Sequence, residues 1–273
     1  MNSHVRNYYR NSGLSSLWEC HFYEAIPLHE REEITWKQAS DLVPSIPKIW
    51  HDICQLSKKD RIEAVFSLWM KQLSGSQENL NNLSTFFQNL DDVGVFLFNL
   101  GPDLPYETEM VYSLADESCF YHGMPPIALE DSLYLSGQFG GLLPKDYLSF
   151  LHVHNGFSKH TDTGVLRGQD ILRMYRKLIR DISERGLLIK NRGHFIDHND
   201  LIPFYESFGT KSYQCFLKEW HYGSDVGNVF FSLRDGSISD YQSFDSITNT
   251  LAFTTFFDWL NFYLEPIGEE WLL

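Results

Sequence analysis

Residues 228–237 read Asn-Val-Phe-Phe-Ser-Leu-Arg-Asp-Gly-Ser. A run rich in β-branched and aromatic residues ends on Asp235-Gly236, a pair that accepts the backbone of a tight hairpin turn. This predicts a strand over Asn228–Leu233, a turn over 234–237 and a return strand over Ile238–Tyr241. Upstream, Leu201–Tyr205 and Tyr213–Leu217 are strand-like runs of the same kind. Downstream, Phe253, Phe256, Phe257, Leu260, Tyr263 and Leu264 recur at helical spacing. They predict a helix from about Leu251 to Leu264, ended by Pro266. Strands joined by turns, with helices before and after, define an α+β fold with an antiparallel sheet flanked by helices.

Further upstream, Gln169–Arg185 is the clearest amphipathic segment, with Ile171, Leu172, Tyr175, Leu178, Ile179 and Ile182 on its apolar side. Leu143-Pro144 opens another helix, with Tyr147, Phe150, Leu151 and His154 on one face and Asn155-Gly156 as its stop. Ser132–Phe139 reads as a helix. In the first half, helices are expected over Glu30–Ala39, over two stretches between Ile49 and Leu73 with Ser57 as a cap, and over Leu83–Leu90. Ser74–Asn82 reads as a polar loop. Val93–Leu100 (Val-Gly-Val-Phe-Leu-Phe-Asn-Leu) is a buried strand, paired with Glu109–Ala115. The first 25 residues show no clear period. Gly123-Met124-Pro125-Pro126 breaks the pattern and sets an expected boundary. A helical and two-stranded extension, 1–125, precedes a second domain, 126–273.

The second domain carries a resemblance. Leu143, Pro144, Asp146 and Tyr147, then Phe150 and Leu151, then Asn155 and Gly156, resemble the "LP-x-D-Y … F-L … N-G" signature of the SUKH superfamily. Its members are relatives of the yeast cell-wall-assembly regulator and of bacterial toxin-immunity proteins. Pro203 and Phe204, the Asp235-Gly236 hairpin and the closing helix follow in the family's order. The match spans roughly Pro126 to Leu264. These residues read as scaffold, not as a site. The resemblance implies a protein-binding module, either an immunity protein or a regulatory adaptor, with no catalytic residue attached to the fold.

Composition narrows the function classes. The chain of 273 residues has a formal net charge of −14, the reverse of a nucleic-acid binder's basic footprint. No apolar run reaches the roughly 20 residues of a membrane span, and residues 1–10 lack the pattern of a secretory signal. Cys20, Cys54, Cys119 and Cys215 form no CxxC pair and read as reduced thiols. The expected setting is the cytoplasm.

Between Lys71 and Lys145 lie ten acids and no Lys or Arg. Nine of them, Asp91, Asp92, Asp103, Glu107, Glu109, Asp116, Glu117, Glu130 and Asp131, are the candidate contact surface for a partner protein, such as a basic toxin. From Arg167 to Arg192 the balance reverses, with eight bases against three acids. The alternative is a metal-dependent hydrolase or transferase using His194, Asp197, His198 and Asp200, since His at i and i+4 meet on a helical face. No phosphate-binding, dinucleotide or nucleophile motif is present, and no cofactor is expected.

Overall fold

The computed structural model describes residues 1–10, 22–160, 162–223, 225–242 and 250–265. Ten strands form one sheet: β1 (Glu24–Pro27), β2 (Leu90–Asn99), β3 (Glu107–Leu114), β4 (Phe120–Gly123), β5 (Phe157–Lys159), β6 (Gly164–Val165), β9 (Leu201–Glu206), β10 (Ser212–Tyr222), β11 (Asp225–Ser232) and β12 (Ala252–Phe253). Every neighbouring pair is antiparallel. β7 (Lys190–Asn191) and β8 (His194–Phe195) make a separate two-stranded ribbon. The expected α+β class with an antiparallel sheet is what the chain adopts.

The helices are α1 (Ser3–Arg10), α2 (Trp36–Leu42), α3 (Lys48–Cys54), α4 (Lys58–Gln72), α5 (Gln77–Gln88), α6 (Leu129–Gln138), α7 (Lys145–Leu151), α8 (Gly168–Arg185) and α9 (Phe256–Leu264). Ser57 caps α4 as expected, its side chain accepting from the Asp60 N–H. Thr35 and Thr255 close capping boxes at α2 and α9.

Several elements differ from expectation. The supposed loop 74–82 holds the first turn of α5, because Ser76 caps it and Glu78 sits where the helix dipole favours an acid. The return strand over Ile238–Tyr241 shrinks to a single bridge, Phe231 to Ile238. β12 is the named strand that pairs with β11 there, and α9 begins only at Phe256, where Thr255 supplies the cap. The two-stranded extension has four strands. The sheet continues through the boundary expected at 123–126: β4 pairs with β3 on one side and with β5 on the other. Pro266 and Cys20 lie outside the described residues.

The sheet has two faces of different character. Val93, Val95, Leu97, Met110, Tyr112, Leu114 and Tyr121 point into the main core beneath the helical layer. Phe96, Phe98, Val111 and Phe120 alternate with them and meet Val5 and Tyr9 of α1 on the opposite face. Covering on both faces explains why β2 is apolar almost throughout.

A buried chain of hydrogen bonds ties the N-terminal strands to the later half. Trp69 Nε1 donates to the Tyr112 hydroxyl at 2.9 Å, which meets His154 Nε2 at 2.6 Å. His154 Nδ1 in turn faces the Met124 carbonyl at 3.0 Å. Gly123 makes room: a Cβ there would lie 2.4 Å from the His154 ring.

Burial lowers His154 and His29 from 6.5 to about 4. Unfolded imidazoles protonate first, so the stability from keeping these two neutral is full above pH 6.5 and lost as pH falls through the folded values. Asp146 opposes them. Burial pushes its carboxyl from 3.8 up to about 6, so its contribution grows as pH falls below 6. Burial also lowers His160, so the lowered histidines outnumber the raised carboxyls Asp146 and Asp200. Stability is therefore expected to fall as pH drops from about 6 to about 4. His154→Gln removes one of the lowered histidines and should flatten the slope; denaturant titrations at pH 7, 6, 5 and 4 check both results.

Candidate functional site

On the face away from the helical layer, a groove of about 370 Å³ crosses β2 to β6 between α1 and the start of α8. Its walls include Tyr8, Phe98, Met124, Leu166 and Met174. Its floor carries two charged groups placed by strand alternation. Glu109 lies opposite Phe96 in the β2–β3 register, and His122 lies opposite Val111 in the β3–β4 register. Both therefore share the Phe96 and Val111 face.

His122 Nδ1 donates to Glu109 Oε2 at 2.9 Å, and its Nε2 donates to the His160 carbonyl at 2.9 Å. The Tyr9 hydroxyl donates to the other Glu109 oxygen. Burial by itself would lower the His122 pKa, but the Glu109 carboxylate outweighs it and holds the imidazolium above its ordinary value. Burial by itself would raise Glu109; the His122 charge and the donors from His122 and Tyr9 hold it below. Both ring nitrogens act as donors, as an imidazolium requires.

At the rim, Arg167 Nη2 reaches Glu107 Oε2 at 3.3 Å, both side chains about 40% exposed. The Asn155-Gly156 pair positions this arginine. Asn155 Oδ1 accepts from the Gly168 N–H at 2.7 Å, and its Nδ2 donates to Gln169 Oε1 at 2.9 Å. Arg167, the residue capping α8, makes no side-chain cap of its own, so Asn155 satisfies the first turn from outside. Gly156 has φ +102°, and a Cβ there would meet Arg167 Cγ at 2.9 Å. Asn155→Ala is expected to cost about 1–2 kcal/mol. Hydrogen exchange should show faster exchange confined to the first turn of α8.

The other motif residues also build the frame. Asp146 accepts from the Phe257 N–H at 2.9 Å and the Tyr147 N–H at 2.8 Å, so it caps α9 from α7. Tyr147 packs against Phe204, Phe216 and Phe256. Leu143, Phe150 and Leu151 are core residues, and Pro144 is the capping position of α7. Pro203 lies opposite Cys215 in the sheet. Asp235 accepts from Ser237, and Gly236 takes φ +74° in the expected turn.

The acidic block does not form one surface. Asp92 is buried against Arg61, whose Nη2 lies 2.8 Å and 3.0 Å from its two oxygens. Glu109 is buried in the groove floor. Neither presents its charge to a partner. Asp91 pairs with Lys58 at 2.5 Å, and Glu107 with Arg167. Asp103 is exposed in the β2–β3 turn, whereas Asp116 and Glu117 are exposed beyond the other end of β3, roughly 25 Å away at a strand's rise. Glu130 and Asp131 lie exposed in the first turn of α6. The reason is topological: a sequence run that follows an antiparallel meander is split between both ends of the sheet.

The histidine alternative is likewise dispersed. His194 is exposed on β8, while His198 sits in a 3₁₀ turn with its Nε2 3.3 Å from the Ser183 hydroxyl. The shared helical face that would bring them together does not form. Asp197 caps the turn through the Asn199 N–H. Among the described residues, no group of three or more His, Cys, Asp or Glu side chains is placed to hold a metal ion. No helix among them is long and apolar enough to cross a membrane.

Sequence reasoning missed Tyr9 and His122. The alternation of β4 (Phe-Tyr-His-Gly) was the available signal, but four residues are too few to stand out. Comparisons with protein-family models, curated proteins and solved structures found no match.

Proposed function

We propose that this protein is a non-catalytic protein-binding module that neutralises or regulates a partner by holding a segment of it in the groove between α1 and α8. One observation carries the reading: the acid–base groups of the floor are engaged with one another. Both His122 nitrogens and both Glu109 oxygens have partners inside the fold. A general acid or base needs a free site within reach of its substrate. What the groove offers instead is apolar wall. Leu100, about half exposed, lines the groove with Glu107, and the exposed Asp103 and Leu104 follow in the β2–β3 turn. Leucines next to carboxylates suit a partner that brings apolar anchors flanked by bases, a basic toxin among them.

The resemblance to the SUKH superfamily supports an immunity or regulatory role. The proposed setting is the cytoplasm, where free thiols such as Cys54 and Cys215 persist. Affinity capture with mass spectrometry from the native cell tests the reading. Wild-type chain is compared with Leu100→Asp and Arg167→Glu at the groove, and with Lys37→Glu on α2. A partner retained by the wild type and by the α2 variant but lost from both groove variants is the expected result. Identical capture by all four chains would contradict it.

A further inference from the structure

A second cavity, of about 290 Å³, lies on the other side of α1. The first 36 residues contain three arginines and no lysine, and all three arginines, Arg6, Arg10 and Arg31, line this cavity. The whole chain carries a net charge of −14, so a cavity lined by three arginines stands out from it. Arg6 and Arg10 stand one helical turn apart on α1, and Arg31 follows the 3₁₀ turn Leu28–Glu30. The floor is apolar, made by Ala25, Pro27 and Phe96, with Tyr9 stacked on Phe96 at 3.8 Å between centroids.

Glu30 is the one acid of the lining. It accepts from Arg6 Nη2 at 2.9 Å and so steadies that guanidinium. Arg31 makes one exposed contact, Nη1 to Glu33 at 3.4 Å. Arg10 pairs with no acid among the described residues. Each guanidinium has five N–H donors, and the bonds named here use few of them. Arg6 and Arg31 each have one glutamate within 3.4 Å, so the surplus positive charge of the cavity sits on Arg10. Planar forks of this kind match the oxygens of phosphate, and the volume falls near the lower end of the small-ligand range.

We infer that the cavity lined by Arg6, Arg10 and Arg31 binds a phosphate monoester carried on a flat apolar body, the phosphate meeting the arginines and the body lying against Ala25 and Pro27. Phenyl phosphate is the probe, followed by titration calorimetry on the full chain. Saturable one-to-one binding is expected, weakened at least about tenfold in the Arg10→Gln/Arg31→Gln double variant. Arg176→Gln on α8, a base outside the cavity, should bind as the wild type does. Both altered arginines are exposed, and an unchanged melting temperature shows that the double variant folds.

Two sources share this chemistry. A phosphotyrosyl peptide binding at least tenfold tighter than phenyl phosphate assigns the site to a phosphorylated side chain of a protein. Equal or weaker binding assigns it to a free phosphate ester. Absence of saturable binding, equal binding by the double variant, or inorganic phosphate binding as tightly as phenyl phosphate would each overturn the assignment.

Discussion

Glu109→Ala is expected to lower the unfolding free energy by about 3–5 kcal/mol, the cost of leaving one member of a buried ion pair without the other. The truncation leaves the His122 ring beneath α1 without its carboxylate partner, so it must either lose its proton or stay charged and unpaired, and it removes the acceptor of the Tyr9 hydroxyl. Glu109→Gln should cost less, because the amide oxygen still accepts one bond. It nevertheless removes the charge that holds His122 high. Titration of the His122 ring by NMR should then move from above 6.5 to below it, since burial by itself pushes in that direction. The pair's contribution in the wild type has two limits. It is lost as pH rises through the folded His122 value, above 6.5, and as pH falls through the folded Glu109 value, below 4.5. A loss under 1 kcal/mol in the alanine variant would mean that the pair does not hold α1 to the sheet.

Trp69→Ala carries a similar expected loss of about 3–5 kcal/mol, for a different reason. The indole is fully buried, and its ring lies edge-on to Phe87, Tyr112, Phe150, His154 and Phe157. These neighbours come from α5, β3, α7, the turn after α7 and β5. Emptying the site removes apolar burial and opens a cavity at the meeting point of both sequence halves. Trp69→Phe keeps most of the volume but deletes the donor to Tyr112, so a loss of about 1–2 kcal/mol is expected. Chemical denaturation of the three proteins measures the series. Equal losses for Phe and Ala would locate the energy in the hydrogen bond and not in packing.

The features legible in the sequence were those that repeat locally. α8 gave itself away because Ile171, Leu178 and Ile182 recur over about three turns. Ser57 and Asp235-Gly236 acted through contacts within a few residues of themselves. α1 was hidden, because its burial depends on Phe96 and Phe120, which lie about a hundred residues away. β4, β5 and β6 were too short to show a period, yet they make the sheet continuous.

The same limit applies to the site. The sequence marks acids by type, but only the register reveals that Glu109 faces His122 while Asp103 faces solvent. Asn155-Gly156 was expected to stop the helix opened by Pro144, but α7 ends earlier, at Leu151, and His154 lies in the turn that follows. The pair's task in the fold, seating Gly168 and clearing space for Arg167, depends on contacts between segments.

The most direct test places a photoreactive benzophenone side chain at Leu100, which lines the groove, and separately at Leu188, which is more exposed and lies outside it. Each full-length chain is irradiated in the native cell and its adducts are sequenced by mass spectrometry. A discrete adduct with one protein at Leu100, missing at Leu188, is the expected outcome. No adduct at Leu100, or the same adducts at both positions, would contradict a partner held in the groove.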